Sequence, residues 1–138
     1  MDEKSCGLCE AQQEAYRLID QNEKAFSIIP TAPLKLGHIM ILPKRHVITI
    51  SDLSEKELKS LFELADKLKD TVKRVSHQDP IIHINTGKHK TQEHFHIHIV
   101  PAKGNLRSLI AHQEGVSERQ DISKDEMSEM KNILLSNN

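Results

Sequence analysis

The sequence is poor in aromatic residues and contains no long apolar run, and both features narrow the class of protein. It has three Phe, one Tyr and no Trp in 138 residues. No apolar run approaches the length of a membrane span, and the N-terminal stretch MDEKSCGLC lacks the apolar core of a signal peptide. We therefore expect a soluble, cytoplasmic protein with no membrane partner.

Net charge is also nearly absent, because nineteen Lys and Arg almost cancel twenty Asp and Glu. No overall field would then attract nucleic acid, so we expect no nucleic-acid partner and only local anion sites. A chain of 138 residues without repeats, low-complexity tracts or linkers is typical of one domain with a real hydrophobic core. We expect a single domain over residues 1–138.

Cysteine occurs twice, as Cys6 and Cys9 in a C-x-x-C pattern. In a reducing compartment this spacing indicates a metal pair or a redox pair rather than a disulfide framework. Two unpaired buried thiols remain an alternative. Histidine is abundant by contrast, with nine residues. This abundance indicates that imidazole is the functional group that carries the protein's chemistry.

Hydrophobic patterns predict an α+β fold in which an antiparallel sheet packs against one principal helix. The helix should begin at the capping-box pair Ser54 and Glu57 and bury an apolar face from Leu58 to Val75. A short C-terminal helix should follow a second such pair, Ser123 and Glu126. Residues 102–121 are polar and show no firm periodicity. The predicted strands cover residues 15–20, 25–29, 38–42, 80–85 and 95–100.

Three histidines alternate with apolar residues in the segment HFHIHIV, residues 94–100. In a strand, His94, His96 and His98 would share one face while Phe95 and its apolar neighbours pack on the core. A solvent-facing polar strand is the ordinary alternative, but strict alternation disfavours it. Joint chelation of one metal is also disfavoured, because the outer two Cα atoms would lie about 13 Å apart.

Stacked imidazoles favour nucleophilic and acid–base chemistry. A neutral imidazole attacks phosphorus when an acceptor holds its other nitrogen, and a neighbouring histidine can give a proton to the leaving group. Histidine titrates near neutrality, so neither role needs an extreme pKa. His96 has a partner on each side, which makes it the best-placed nucleophile.

These residues resemble the histidine-triad family, whose signature is His-φ-His-φ-His-φ-φ with φ apolar. The segment GHIMILPKRHV, residues 37–47, is similar to the family's G-H-x-φ-φ-φ-P-K-x-H segment, and Asn85-Thr86-Gly87 to its N-x-G turn. The resemblance covers about residues 5–101 and leaves 102–138 as a C-terminal extension with a short helix. It implies a sheet of about five antiparallel strands and a homodimer.

The resemblance also implies a nucleotidyl hydrolase or transferase that acts on a purine nucleotide. Such an enzyme cleaves a nucleoside monophosphate from an amine, phosphate or nucleotide leaving group. His96 would form a nucleotidyl-imidazole intermediate, and His98 would donate the proton. The remaining implied site residues support the reaction centre or hydrogen-bond near the phosphate: His94, His38, Asn85 and Thr91. Lys90 or Lys88 is a candidate source of positive charge for the phosphate, with an ordinary solvated loop lysine as the alternative.

Cys6, Cys9, His46 and His94 resemble the ligands of a structural zinc site found in many microbial members of this family. Two thiolates and two imidazoles form the closed tetrahedral shell expected of structural zinc. The chain departs from the family pattern at Pro30, where many members carry an Asp that binds the ribose. A nucleotide-binding regulatory module with little turnover is therefore the alternative function, while a metal-storage protein is disfavoured by the triad geometry.

Three further histidines receive only structural interpretations. His83 lies in the predicted strand IIHIN, where a hydrogen-bonded sheet residue is the simplest reading. His77 and His112 fall in segments that the sequence indicates to be polar loops.

Overall fold

The computed structural model describes residues 6–90 and 92–136. The chain divides into two compact units, one ending at Lys103 and one beginning at Gly104. The expectation of a single domain over the whole chain remains a prediction. Within the described ranges, no helix is long and apolar enough to cross a membrane.

The first unit contains an antiparallel sheet, which confirms the predicted fold class. Its strands are β1 Leu18–Gln21, β2 Ala25–Ile28, β3 Ile39–Pro43, β4 Pro80–His83 and β5 Ile97–Pro101. In the described residues the strand order is β1-β2-β3-β5-β4, and each neighbouring pair is antiparallel. The last strand in this order, β4, therefore forms one edge of the sheet and pairs with β5.

Strand β5 begins two residues later than the alternation pattern predicts. Its ladder with β3 starts where Ile97 pairs with Ile41, and β3 ends at Pro43, which has no N–H to donate. The preceding segment bonds elsewhere, because the N–H of Phe95 donates to the carbonyl oxygen of Val47. His94 and His96 therefore precede the strand. The rings of His96 and His98 are nevertheless neighbours, as the alternation predicts, whereas the prediction of a shared face was wrong for His94, whose ring faces Cys6 and Cys9.

The principal helix, α2, spans Glu55–Ser76 and covers one face of the sheet. Its predicted capping box is confirmed: the Ser54 hydroxyl accepts from the N–H of Glu57, and the Glu57 carboxylate accepts from the N–H of Ser54. His77 ends the helix in the left-handed conformation, with φ 59°. The buried helix residues that meet the sheet are Leu61, Leu64, Ala65, Leu68 and Val72.

The N-terminal segment covers the opposite face of the sheet. A single helical turn, α1 (Gly7–Glu10), places Leu8 against strands β2 and β3, where the cluster includes Phe26, Ile28, Met40 and Leu42. Cys6 caps this turn, because its Sγ accepts from the N–H of Cys9 at 3.3 Å. The cysteine pair is thereby held against the sheet.

The second unit contains two helices, α3 (Leu106–Glu114) and α4 (Lys124–Ser136). The capping box ahead of α4 is confirmed by both bonds between Ser123 and Glu126. Helix α3 was not predicted, although it has both end signals. The Asn105 side chain accepts from the N–H of Ser108, and Gly115 ends the helix with φ 67°.

Candidate active site and metal site

The entry to strand β3 places His38 beside the triad. Gly37 precedes it with φ 95°, and a Cβ at this position would lie 3.2 Å from the side chain of Pro101. Glycine is therefore required by both the backbone conformation and the close approach of β5. His38 is buried, and its ring lies next to that of His98.

His96 is held in one tautomer by the backbone. Its Nδ1 lies 2.7 Å from the carbonyl oxygen of His94. A carbonyl oxygen can only accept, so the Nδ1 of His96 must carry the proton and donate it to this bond. In the neutral ring the Nε2 then carries a lone pair. The arrangement presents a nucleophilic nitrogen without any change of protonation.

His98 is held in the complementary tautomer by a chain of two hydrogen bonds. The backbone N–H of Leu34 donates to Nδ1 of His38 at 3.0 Å. In neutral His38 the proton must then be on Nε2, which lies 3.0 Å from Nδ1 of His98. His98 accepts this bond, and its own proton is on Nε2. Two neighbouring imidazoles thus present different groups: a lone pair on His96 and an N–H on His98.

The His98 ring is surrounded by other imidazoles. The centroid distances are 4.9 Å to His96, edge to face, and 4.8 Å to His83, stacked with 11° between the planes. Burial, together with the proximity of His96, His83 and His38, lowers the pKa of His98 to about 4. Burial also lowers the pKa of His38 and of His83. The neutral form of His98, His38 and His83 is therefore favoured at pH 7.

Cys6, Cys9, His46 and His94 converge with the geometry of a metal site. Their ligand atoms all lie within 4.8 Å of one another. Sγ of Cys9 is 3.2 Å from Nδ1 of both His46 and His94, and Sγ of Cys6 is 3.5 Å from Nδ1 of His94. Sulfur and nitrogen ligands of a tetrahedral zinc ion are separated by about 3.6 Å. The four residues are compatible with a metal site of the Cys₂His₂ type.

His94 has the hydrogen bond expected of a metal ligand. Its Nε2 lies 3.0 Å from the carbonyl oxygen of Pro43, so Nε2 carries the proton and Nδ1 faces the cysteines as a lone pair. The same residue supplies the carbonyl that holds His96. The candidate metal site and the candidate nucleophile are therefore joined through one residue.

Two of the predicted phosphate-binding residues line a cavity beside the segment that precedes β5. Asn85 and Lys90 line a cavity of about 440 Å³ together with apolar and hydroxyl residues. Among the described residues, its lining does not include a triad histidine. Lys90 also lies 3.9 Å from the Glu93 carboxylate. Thr91, the predicted hydroxyl ligand, lies outside the described residues.

Sequence reasoning missed the place of His83 in the imidazole cluster. The residue is in β4 as expected, but it pairs directly with His98, and their rings are stacked. The sequence placed His83 in the strand IIHIN, but it did not show that this strand pairs with β5, which brings His83 next to His98. His112 was placed in a polar loop, but it lies in α3, and His77 is the residue that ends α2.

The antiparallel sheet and the histidine cluster are the features expected of a histidine-triad protein, and comparison with known proteins identifies the same family. The family model described as "HIT domain" matches residues 11–105. This chain belongs to the HIT domain family.

The curated relatives include both uncharacterised and named members. An uncharacterised HIT-like protein of Mycoplasma pneumoniae is 26% identical over 84% of this chain and 90% of its own length. A bis(5'-adenosyl)-triphosphatase of Dictyostelium discoideum is 34% identical over 59% of this chain and 56% of its own length. An adenosine 5'-monophosphoramidase of Candida albicans is 22% identical over 75% and 72%, respectively.

Solved structures share the fold. A HIT family protein from Bacillus anthracis superposes with a TM-score of 0.70 over 96% of this chain and 94% of its own, at 19% identity. At that identity the likeness establishes the architecture alone. The family therefore includes hydrolases of adenosine nucleotides, and this chain has the family's sheet.

Proposed function

We propose that this protein is a nucleotidyl hydrolase or transferase that works through a nucleotidyl-histidine intermediate on His96. The observation that carries the proposal is the pair of opposite tautomers on His96 and His98. One ring presents a lone pair and its neighbour presents an N–H, as nucleophilic displacement at phosphorus requires. The names of the relatives from Dictyostelium and Candida support adenosine nucleotides as the substrate class.

In the first displacement, the Nε2 lone pair of His96 forms a bond to the α-phosphorus. The bond from phosphorus to the leaving group breaks, and its electron pair departs with the leaving group. The bond from Nδ1–H of His96 to the carbonyl of His94 then stabilises the positive charge that the substituted ring acquires.

His98 serves the leaving group through its Nε2–H. The substrate's phosphate would add negative charge beside the cluster, which raises the pKa of His98 and favours uptake of a second proton from solvent. The imidazolium form then gives its Nε2 proton to the leaving group and remains as a neutral imidazole. In the second displacement, a water oxygen forms a bond to phosphorus while the bond between phosphorus and Nε2 of His96 breaks. The water gives its proton to Nε2 of His98, which lost its proton in the first step, and the mononucleotide is released. An acceptor other than water would give nucleotidyl transfer.

For the metal site we propose structural zinc held by Cys6, Cys9, His46 and His94. The ion would supply no step of the reaction; when bound, it would crosslink the N-terminal turn to the segment before β5. His94 would then be fixed at Nδ1, and its carbonyl would hold His96 in place. A homodimer is proposed from the family resemblance.

The test is release of adenosine monophosphate from adenosine 5'-monophosphoramidate and from a diadenosine polyphosphate. Replacement His96→Ala should lower turnover at least about a thousandfold, because it removes the nucleophile. His112→Ala, at an exposed position in α3, is the matched control and should leave turnover unchanged. When the enzyme reacts with a labelled nucleotide and is quenched rapidly without acid, the label should be found on the peptide that contains His96.

Two results would refute the proposal. One is near-normal turnover in His96→Ala, and the other is trapping of the label on another residue. Tight nucleotide binding without any release of mononucleotide would instead favour the regulatory module. The sequence argument for that alternative is Pro30, which stands where many family members carry a ribose-binding Asp.

A further inference from the structure

The histidine cluster contains a ring, that of His83, which the proposed reaction does not use. His83 lies on the edge strand β4 directly opposite His98 on β5. Cross-strand neighbours project to the same side of a sheet, and here the two rings stack at 4.8 Å with 11° between their planes. The contact is therefore built into the register of the sheet.

We propose that His83 is a positioning residue for His98: its stacked ring fixes the direction of the His98 Nε2–H toward the leaving group. The catalytic consequence rests on the proposed function. The contact between the two rings does not, because it follows from the pairing of β4 with β5.

The hydrogen bond from His38 alone does not fix the His98 ring. The ring is attached at Cγ and bonded at Nδ1, but rotation about the Cβ–Cγ bond within the tolerance of one hydrogen bond still tilts the ring and moves its Nε2. A parallel ring against its face removes this freedom. The two contacts together, one in the ring plane and one on its face, define a single orientation.

The hydrogen bonding of His83 is consistent with a role based on stacking. Its Nδ1 is buried and has no hydrogen-bond partner in the part of the chain that the structure describes. A buried nitrogen without a partner is unfavourable, so a residue kept in this position needs another reason. Stacking on His98 supplies that reason.

Electrostatics favours the neutral form of the stacked pair. The titratable groups that face His98 are His38 at the start of β3, His83 on β4 and His96 before β5. Burial, aided by the proximity of His96, lowers the pKa of His83. Burial, aided by His96, His83 and His38, lowers the pKa of His98, so the stacked ring of His83 is one of the neighbours that favour the neutral form of His98.

The first experiment measures the contact without using activity. Nitrogen-15 labelling of histidine in the full-length protein reports the tautomer and pKa of His98 by NMR. His83→Ala should raise the pKa of His98 toward the ordinary value, because solvent replaces the ring. His83→Phe keeps a flat ring and should leave the pKa of His98 much closer to that of the wild type. Ile81→Ala, on the same side of β4, controls for loosening of the edge strand.

The second experiment separates positioning from general damage. The substrates are adenosine 5'-monophosphoramidate, whose amine leaves with a proton, and the p-nitrophenyl ester of adenosine monophosphate, whose nitrophenolate needs none. His83→Ala should lower kcat about tenfold on the phosphoramidate, with little change in KM or on the nitrophenyl ester. His83→Phe should restore most of the loss, and Ile81→Ala should behave as the wild type.

Several outcomes would overturn the inference. They are an unchanged pKa of His98 in His83→Ala, an equal loss of kcat on both substrates, and failure of His83→Phe to restore activity in a folded protein. A protein that releases no mononucleotide from either substrate would refute the proposed function, while the NMR experiment would still decide whether His83 holds His98.

Discussion

The ion pair between Arg45 and Glu57 ties the segment of His46 to the start of helix α2, and its removal should weaken the fold by a predictable amount. Two guanidinium nitrogens of Arg45 donate to the two carboxylate oxygens of Glu57, at 2.7 and 3.1 Å. The Arg45 guanidinium, opposed by burial and aided by the bonds from Ser54, lowers the pKa of Glu57 from 4.5 to about 2. The replacement Glu57→Gln removes the charge but keeps an oxygen for the capping box.

The magnitude follows from this pKa. If the whole difference between 4.5 and about 2 were realised on folding, it would contribute about 3 kcal/mol of stability. The Glu57 side chain is only 5% exposed, but that of Arg45 is 57% exposed, so solvent screens the pair. We therefore expect Glu57→Gln to cost about 1–2 kcal/mol at pH 7.

The pH dependence has a definite sign. Because the pKa of Glu57 is lower in the folded state, its contribution is fully present above pH 4.5 and is lost as the pH falls through about 2. Urea unfolding of wild type and Glu57→Gln at pH 3 to 7 should show the difference narrowing below about pH 4.5. Arg45→Gln and the double variant complete a cycle that isolates the pair. A difference that stays constant with pH, or a cycle with no coupling, would refute the reasoning.

Three further predictions concern the site. Protein purified without added metal should contain about one zinc per chain. Removal of the metal by a chelator, or the replacement Cys9→Ala, should lower the Tm by about 10 °C or more. A folded, metal-free protein with an unchanged Tm would exclude the ion. Light scattering at micromolar concentration should give twice the chain mass of 15.7 kDa, and the monomer mass would exclude the dimer. The replacement His38→Ala should leave His98 in a mixture of tautomers while His96 keeps its Nδ1 proton, and nitrogen-15 NMR would contradict this if His98 were unchanged.

The elements that the sequence predicted well are those specified by local chemistry. The capping box at Ser54 and Glu57 needs only residues three apart, and both of its bonds are present. The central strands β2 and β3 were predicted from short runs of mostly apolar residues, and both strands are buried along their whole length. Helix α3 was missed because Leu106, Leu109 and Ile110 are few and about half exposed, so they give little periodic signal.

The parts of the site that escaped prediction depend on contacts between distant segments. Alternation along HFHIHIV indicated a shared face, but His94 is drawn to Cys6 and Cys9 instead of continuing the ladder of β5. The role of the His94 carbonyl toward His96 leaves no mark in the sequence, because every residue has such a group. His83 was given only a structural role for a similar reason, because its neighbour across the sheet depends on which strand pairs with β4.

The bond from His96 to the carbonyl oxygen of His94 has a consequence for how the site can be dissected. Alanine scanning tests side chains, so no substitution at position 94 deletes this acceptor. A scan would therefore assign the whole effect on the proposed nucleophile to the His96 side chain. It would assign no effect to the carbonyl group that sets the tautomer of His96. Semisynthesis can reach it: an ester in place of the peptide bond between residues 94 and 95 leaves every side chain intact and makes that carbonyl a weaker acceptor. The ester also removes the N–H that Phe95 donates to the carbonyl oxygen of Val47, so a second ester that removes only an N–H elsewhere is the control. The tautomer of the proposed nucleophile is therefore set by a main-chain group, which side-chain substitution does not remove.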